Sequence, residues 1–231
     1  MTERAAVPLS APGFTPTRGA PAVVIGVGNE FRRDDGAGPA ELGAAAKDVI
    51  SMRALVVYES MYGNTRVIAN RIADGLRATH EVTVVPVGEA TPELLAGADL
   101  VVAGGPTHMH GMSSASSRRM AAQAAAKEGS GLTLDPGARG PGIRDWLGVV
   151  ADGHALAAAF DTRLSGVPAF TGRASRPIGK LLKRHGCTIV AAPESFLVSK
   201  ENTLLDGEAE RASRWGMTLG AASKTHAPAS A

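Results

Sequence analysis

The stretch Met52–Leu76, MRALVVYESMYGNTRVIANRIADGL, decides the fold of this chain. Its first part, Leu55–Tyr58, is apolar without alternation, which is typical of a parallel strand covered on both faces. Apolar residues then return at helical spacing, at Ile68, Ile72 and Leu76. The sequence therefore predicts a strand, a tight polar loop and a helix, in that order.

The loop between this strand and this helix has the features of a phosphate-binding site. The first N–H groups of a helix have no partner inside it, and the helix dipole adds partial positive charge there. Ser60 and Thr65 add hydroxyl donors, Gly63 allows close approach of the backbone, and Asn64 can turn the chain or cap the helix. The loop has no Lys and lacks the spacing of a nucleotide triphosphatase loop. These residues favour a phosphate monoester held without a metal, against a plain strand–turn–helix with incidental hydroxyls.

The same loop carries a resemblance to a known family. With Ser60, Gly63, Asn64 and Thr65 in place, it resembles the first strand–helix unit of the flavodoxins, whose loop reads roughly S/T-x-T/Y-G-N/H-T. The form with Tyr62 before the glycine is also similar to the flavodoxin-like NAD(P)H:quinone oxidoreductases. The resemblance implies FMN as cofactor, with phosphate contacts from Ser60, Met61, Tyr62, Gly63, Asn64 and Thr65.

Composition limits the remaining function classes. The 231 residues are 44% apolar and 20% charged, as in ordinary soluble globular proteins. A net charge of +2 is too small to favour a nucleic-acid partner, and it departs from the acidic character of flavodoxins. No stretch reaches the ~18 apolar residues of a membrane span, and no secretory signal is recognisable, so we expect a cytoplasmic protein without a membrane partner. The single cysteine, Cys187, is expected to be a buried small apolar residue rather than a metal ligand.

Further apolar runs alternate with helical patterns after the first helix. This alternation predicts an α/β fold with a doubly wound parallel sheet, and the flavodoxin resemblance implies five strands in the order 2-1-3-4-5. Pro86 removes a ladder donor and belongs on an edge strand or near a strand end. The four further strands are predicted at Glu81–Val87, Asp99–Gly104, His154–Phe160 and Cys187–Val198, the last interrupted at Pro193 and Glu194.

The segment after the third predicted strand, Gly104–Ser113, resembles the first flavin-contacting loop of the family in its G-[GT]-P-T-x form. Ligands of open α/β sheets bind at the carboxyl ends of the strands where the strand order reverses, and flavodoxin is itself an example of this rule. The resemblance implies flavin contacts from Pro106, Thr107 and His108. His108 and His110 could instead be simply exposed, or form a metal pair, although no carboxylate or Cys stands nearby to complete one.

The fourth predicted strand ends at Asp161, Thr162 and Arg163, which are expected to contact the cofactor, and Thr162–Gly172 would form the second flavin loop. Phe170 is its only aromatic residue. The long loop Gly129–Gly142 either covers a site or is floppy. In the last helix Asp206 is expected to be the cap, with Glu208 in the first turn and residues 223–231 forming a flexible tail.

The segment before Met52 differs from the rest. Residues 1–21 are rich in Pro, Ala and Thr and are expected to be disordered. Residues 23–42 resemble the opening of the hydrogenase maturation endopeptidases, G-x-G-N-x-[LF]-x-x-D-[DE]-G-x-G, which implies that Asp35 matches a nickel-sensing ligand. Since no further ligands follow before the strand at Arg53, we interpret residues 22–51 as a truncated βα extension without peptidase activity. A genuine fusion, a misplaced start codon and a gene rearrangement all remain open.

Four functions are compatible with a flavodoxin-like domain over residues 52–222 that follows the N-terminal motif. FMN would carry the redox chemistry, so no catalytic acid–base pair and no metal site is predicted. The protein could carry electrons to a redox partner protein, or take hydride from NAD(P)H and reduce small acceptors such as quinones. It could also be a flavin-free binding module, or a remnant linked to hydrogenase maturation. The Tyr62-containing loop, the absence of an acidic surface and the scarcity of aromatic residues favour the reductase.

Overall fold

The computed structural model describes residues 52–150, 153 and 155–226. The predictions for residues 1–21 and for the extension 22–51, Asp35 included, lie outside the described residues, as do residues 227–231. None of the helices in the described ranges is long and apolar enough to span a membrane.

The centre of the structure is a parallel sheet whose strand order matches the prediction. The order is β2-β1-β3-β5, and β6 and β7 both pair with β5 as the two halves of the predicted fifth strand. The short β4 pairs antiparallel with the end of β3. Pro86 is the last residue of the edge strand β2, as predicted. The strands are β1 (Met52–Tyr58), β2 (His80–Pro86), β3 (Leu100–His108), β4 (Gly111–Met112), β5 (Leu156–Leu164), β6 (Thr188–Ile189) and β7 (Glu194–Val198).

Helices cover both faces of the sheet. Successive residues of a strand point to opposite faces, so Val56 packs on the α1 and α7 side while Val57 packs on the α4 and α6 side. Both residues are fully buried, which explains why β1 lacks an alternating pattern. The helices are α1 (Asn64–Leu76), α2 (Pro92–Ala96), α3 (Ala115–Ala125), α4 (Ile143–Leu147), α5 (Pro168–Thr171), α6 (Ser175–Arg184) and α7 (Glu208–His226), with a 3-10 turn at Val87–Glu89.

Helices α1 and α7 meet at glycines that allow their backbones to touch. A Cβ atom on Gly75 would lie 2.1 Å from the carbonyl oxygen of Ser213, and one on Gly216 would lie 2.2 Å from that of Ile72. Neither distance is compatible with a side chain, so both positions require glycine for packing. This contact fixes α1, and with it the loop at the start of α1, against the last helix.

Strands β3 and β5 are longer than the sequence predicted. They pair continuously from Leu100 opposite Leu156 to Pro106 opposite Thr162, so the predicted ends at Gly104 and Phe160 are wrong. Pro106 is tolerated because pairing with β1 stops at Gly104, which leaves the end of β3 as an edge on that side. Pro106–His108 and Asp161–Arg163, predicted as loop residues, are therefore strand residues.

The last helix differs from the prediction at both ends. It begins at Glu208, and the N–H of Arg211 donates to the carbonyl of Gly207, so Gly207 takes the capping position expected for Asp206. At the other end α7 continues to His226, past the expected start of the tail. Ser223 is fully buried and lies 3.1 Å from the ring of His80, which explains the longer helix.

The structure predicts a loss of stability in mild acid through His80. This ring is 5% exposed, and burial lowers its pKa below the ordinary value. At His80 the unfolded chain then binds more protons than the folded chain below about pH 6.5, so this group lowers the free energy of unfolding as the pH falls. Burial lowers the pKa of His108 as well, so His80→Gln should reduce this pH dependence without abolishing it.

Urea unfolding at pH 7, 6 and 5 measures the effect. Thr83→Val on the same strand provides the control, since it changes an exposed residue without a titratable group and should keep the pH dependence of the unmodified protein. Equal slopes for His80→Gln and the unmodified protein would show that His80 does not contribute.

Candidate functional site

The loop between β1 and α1 leaves the start of the helix open. Gly63 has a φ of +94°, a left-handed conformation that favours glycine, and its N–H donates to the Ser60 hydroxyl over 3.1 Å. The N–H of Val67 donates to the Gly63 carbonyl, which starts the helix. Within the described residues, no side chain caps α1 and no acidic residue lies in its first turn. The first-turn N–H groups therefore face outward as donors for an anion.

Two side chains of this loop connect it to distant parts of the chain. The Thr65 and Thr162 hydroxyl oxygens lie 2.7 Å apart in a buried contact between α1 and β5. Only one hydroxyl proton can lie between them, so the pair keeps one proton to donate elsewhere. The Asn64 amide donates to the carbonyl and side-chain oxygens of Asn202, at 2.9 and 3.1 Å. Asn64 is thus the first helical residue and a tether, while Gly63 holds the capping position.

The long loop after α3, Gly129–Gly142, packs against the loop between β1 and α1. The N–H of Asp135 donates to the Met61 carbonyl over 2.8 Å, and the Asp135 carboxylate pairs with Arg66 at 2.8 Å. The Asp135 side chain is 3% exposed, so this carboxylate is buried beside the loop with its charge compensated by Arg66. These contacts favour the prediction that the segment covers a site over the prediction that it is flexible.

The carboxyl ends of the strands enclose a cleft next to this loop. It is bounded by the α1 loop on one side, by the ends of β3 and β5 in the middle, and by the turn after β7 on the other side. Its lining residues are Met61, Tyr62, Asn64, Thr65, Pro106, Thr107, His108, Thr162, Arg163, Leu164, Val198 and Asn202. The structure thus brings most of the predicted cofactor-binding residues together, from segments that are distant in sequence.

Three of the predicted residues do not line the cleft. Ser60 and Gly63 lie inside the α1 loop, where they bond to each other. Asp161 is fully buried, and its carboxylate accepts the N–H of Ser175 over 2.6 Å. Burial raises the pKa of the Asp161 carboxyl. Asp161 therefore holds the start of α6, rather than facing a ligand as the loop interpretation implied.

The two segments predicted as flavin loops contact each other directly. At the tip between β3 and β4, Met109 and His110 have φ values of 45° and 71°, a left-handed pair that reverses the chain. His110 forms a β-bridge with Gly172, and a Cβ atom on Gly172 would lie 2.2 Å from the His110 Cα. The N–H of Ala174 donates to the Thr107 hydroxyl over 2.9 Å. The far wall of the cleft is therefore joined by side-chain and main-chain contacts.

The rings of His108 and Tyr62 line the cleft, whereas the ring of Phe170, expected in the second flavin loop, does not. His108 lines the cleft and is half-buried; burial, and then the charge of Arg118, lower its pKa, which favours a neutral ring at pH 7. Tyr62 also lines the cleft, and its hydroxyl donates to the Ala121 carbonyl over 2.9 Å. Phe170 is 78% exposed at the tip of α5 and does not line the cleft.

Arg163 lines the cleft although its side chain is almost completely buried. It is 7% exposed, and its Nη1 donates to the Leu164 and Gly166 carbonyls and to the Thr171 hydroxyl, at 3.0, 3.0 and 2.9 Å. Its buried Nε has no hydrogen-bond partner. Arg163 thus fixes the segment that follows β5 and retains an unused donor.

Sequence reasoning missed Leu164, Val198 and Asn202 as lining residues. Asn202 has a φ of 60°, a conformation that Asn adopts more easily than most residues. An Asn at this point of the sequence therefore indicates a turn. Its contact with Asn64 spans 138 positions and depends on the neighbouring arrangement of β5 and β7. Leu164 and Val198 pair with each other across those strands, beyond the predicted end of β5.

Comparisons with known proteins agree with this geometry. A family model described as flavodoxin matches residues 56–146. The fold is flavodoxin-like. A solved flavodoxin from the domain Archaea is 18% identical, with 75% of this chain and 99% of that chain covered at a TM-score of 0.53. Oxidised flavodoxin 2 from Bacillus cereus is 19% identical, with the same coverage and a TM-score of 0.50. No curated protein matches the chain. Structural matches at identities this low establish the fold but not the function.

Proposed function

We propose that this protein binds FMN in the cleft and acts as an FMN-dependent oxidoreductase. The observation that carries the proposal is the uncapped start of α1, which opens on a cleft shared with the ends of β3 and β5. When bound, FMN supplies the electron-transfer chemistry. The tasks left to the protein are to hold the phosphate, orient the ring and admit a reaction partner.

The donor set fits a phosphate monoester. The first-turn N–H groups of α1 and the spare proton of the Thr65–Thr162 pair are donors. The Asp135 carboxylate, which lies beside Gly63, is compensated by Arg66. A dianionic group therefore meets donors and a helix dipole with little repulsion.

The other end of the cleft suits a planar ring. Pro106, Thr107 and His108 supply a wall on β3, and Tyr62 and His108 are the lining residues able to stack. Phe170 stands outside the cleft, so the aromatic cover of a bound ring would be incomplete. An open ring face allows a nicotinamide to approach, which supports a reductase over a carrier with both ring faces covered.

The rim beyond the cleft is apolar. Met109, Val167 and Phe170 come from the two contacting segments and are 78, 60 and 78% exposed, and Leu164 at the end of β5, which lines the cleft, is 49% exposed. Apolar side chains suit an apolar acceptor such as a quinone better than a strongly charged protein partner. We therefore propose NAD(P)H as the electron donor and a quinone as the acceptor.

Anaerobic reduction of the FMN-loaded protein tests this function. We expect NADH or NADPH alone to bleach the flavin absorbance, and an added quinone to restore it. The control is FMN at the same concentration without protein, which sets the uncatalysed rate. If neither nucleotide bleaches the flavin while a reductase protein does, the protein is an electron carrier and the argument from the open ring face is wrong.

A further inference from the structure

Arg163 is a buried cation without a matching carboxylate. Its side chain is more than nine-tenths buried, and within the described residues no carboxylate oxygen lies within the 4.0 Å of an ion pair. Nη1 is used for three neutral oxygens, while Nε is buried and unpartnered although the residue lines the cleft. An uncompensated buried charge is costly, so a site that keeps one is a candidate for receiving negative charge from a ligand.

The carboxylates around Arg163 do not form ion pairs with it. Asp161 and Glu208 favour its charged form, while Arg173 and Arg211 oppose it. Glu194 and Glu208 are both paired with Arg211, and one oxygen of Asp161 accepts the N–H of Ser175. Arg173 also has a buried Nε without a partner. Burial is the main cause of the lowered pKa of Arg163, and the charge of Asp161 is the largest influence in the opposite direction.

Strand geometry separates Arg163 from the phosphate end of the cleft. Neighbouring residues of β5 point to opposite faces, and Thr162 points to Thr65 at the start of α1. Arg163 therefore points to the other face. By the pairing of Pro106 with Thr162, it shares this face with Thr107, whose hydroxyl contacts the start of α6. A ligand whose phosphate lies at α1 would bring its ring end toward Arg163.

We propose that Arg163 stabilises the one negative charge that bound FMN would gain on accepting a hydride, two electrons and one proton, from NAD(P)H, and so raises the reduction potential of the cofactor. This rests on the proposed function, because it requires FMN in the cleft. Positive charge near the ring is a recognised means by which a protein tunes a flavin. At the short distances inside a cleft, one unit charge is worth a tenfold or larger change in an equilibrium constant.

An anaerobic redox titration with dithionite tests this role, together with FMN affinities in both redox states. Arg163→Gln should weaken binding of reduced FMN relative to oxidised FMN at least tenfold, which lowers the midpoint potential by about 30 mV for a two-electron couple. Arg163→Lys keeps the charge and should retain most of the potential. Thr171→Val removes one acceptor of Nη1 without changing any charge, and should leave the potential as it is.

A purely structural Arg163 gives a different result. If Arg163 only fixes the segment after β5, Arg163→Gln will weaken both redox states equally and leave the potential unchanged, which overturns the proposal. If Arg163→Gln does not fold, the midpoint potential of FMN bound to the unmodified protein tests the role instead. The proposal requires this potential to lie above that of free FMN, and a lower potential refutes it. Absence of FMN binding to the unmodified protein would refute the proposed function as well.

Discussion

Replacing Gly216 by Ala should destabilise the protein by about 3 kcal/mol, the upper end of the cost of overpacking a close contact. The new Cβ atom would lie 2.2 Å from the Ile72 carbonyl oxygen and 3.2 Å from the Gly75 Cα. Both neighbours are backbone atoms of α1, so no side-chain rotation can relieve the clash. The helices must move apart, and the gain of about 1 kcal/mol in helix propensity offsets only part of this cost.

The matched control is another helical glycine. A Cβ atom on Gly179 in α6 would lie 3.4 Å from a Pro193 side-chain carbon and 3.5 Å from the Ala159 Cβ, which are ordinary contacts. Gly179→Ala should therefore be neutral or stabilise by up to about 1 kcal/mol. Urea unfolding of both variants measures the difference. Equal stability of the two variants would show that α1 and α7 do not touch through their backbones.

The second large effect concerns FMN affinity. Thr65→Val keeps the shape of the side chain and removes a hydroxyl from the buried pair with Thr162. A hydrogen bond to a charged group contributes about 1.5–3 kcal/mol, so FMN affinity should fall roughly 10- to 150-fold. Riboflavin lacks the phosphate, so its affinity should not change.

Fluorescence titration with both flavins measures this difference, and Thr83→Val provides the control. Thr83 is exposed on β2, away from the cleft, so its substitution should affect neither flavin. Equal losses of FMN and riboflavin affinity in Thr65→Val would mean that Thr65 supports the cleft as a whole and does not contact the phosphate.

The sequence was sufficient to predict the strand–loop–helix at Met52–Leu76 and the order of the strands. The first follows from local patterns, an apolar run and a polar loop with Gly63, while the strand order was implied by the resemblance to flavodoxins. The same loop predicts where an anion would be held, since the first N–H groups of any helix have no partner inside it.

The ends of β3 and β5 could not be predicted, because they are fixed by pairing between residues 56 positions apart, Pro106 and Thr162. Polar side chains at a strand end resemble a loop when each strand is considered alone. This is why Asp161 was expected to face a ligand, whereas β7 and α6 bury it.

Side-chain contacts between distant elements could not be predicted from the sequence either. The side chain of Arg118 is 11% exposed and pairs with Asp145 of α4 at 2.6 Å, a contact between segments 27 positions apart. The unpartnered Nε of Arg163 depends on which oxygens the folded chain places around it. Charge patterns in a sequence indicate the sign of a surface, while compensation of a charge is decided by tertiary contacts.

The relative affinity of the unmodified protein for FMN and riboflavin tests the central claim most directly. Both flavins share the ring and the ribityl chain, so their difference isolates the phosphate and its proposed place at the start of α1. We expect FMN to bind at least 100-fold more tightly, which corresponds to about 2.8 kcal/mol. Equal affinity for the two flavins, or no binding of either, would contradict the assignment of the α1 loop as a phosphate site.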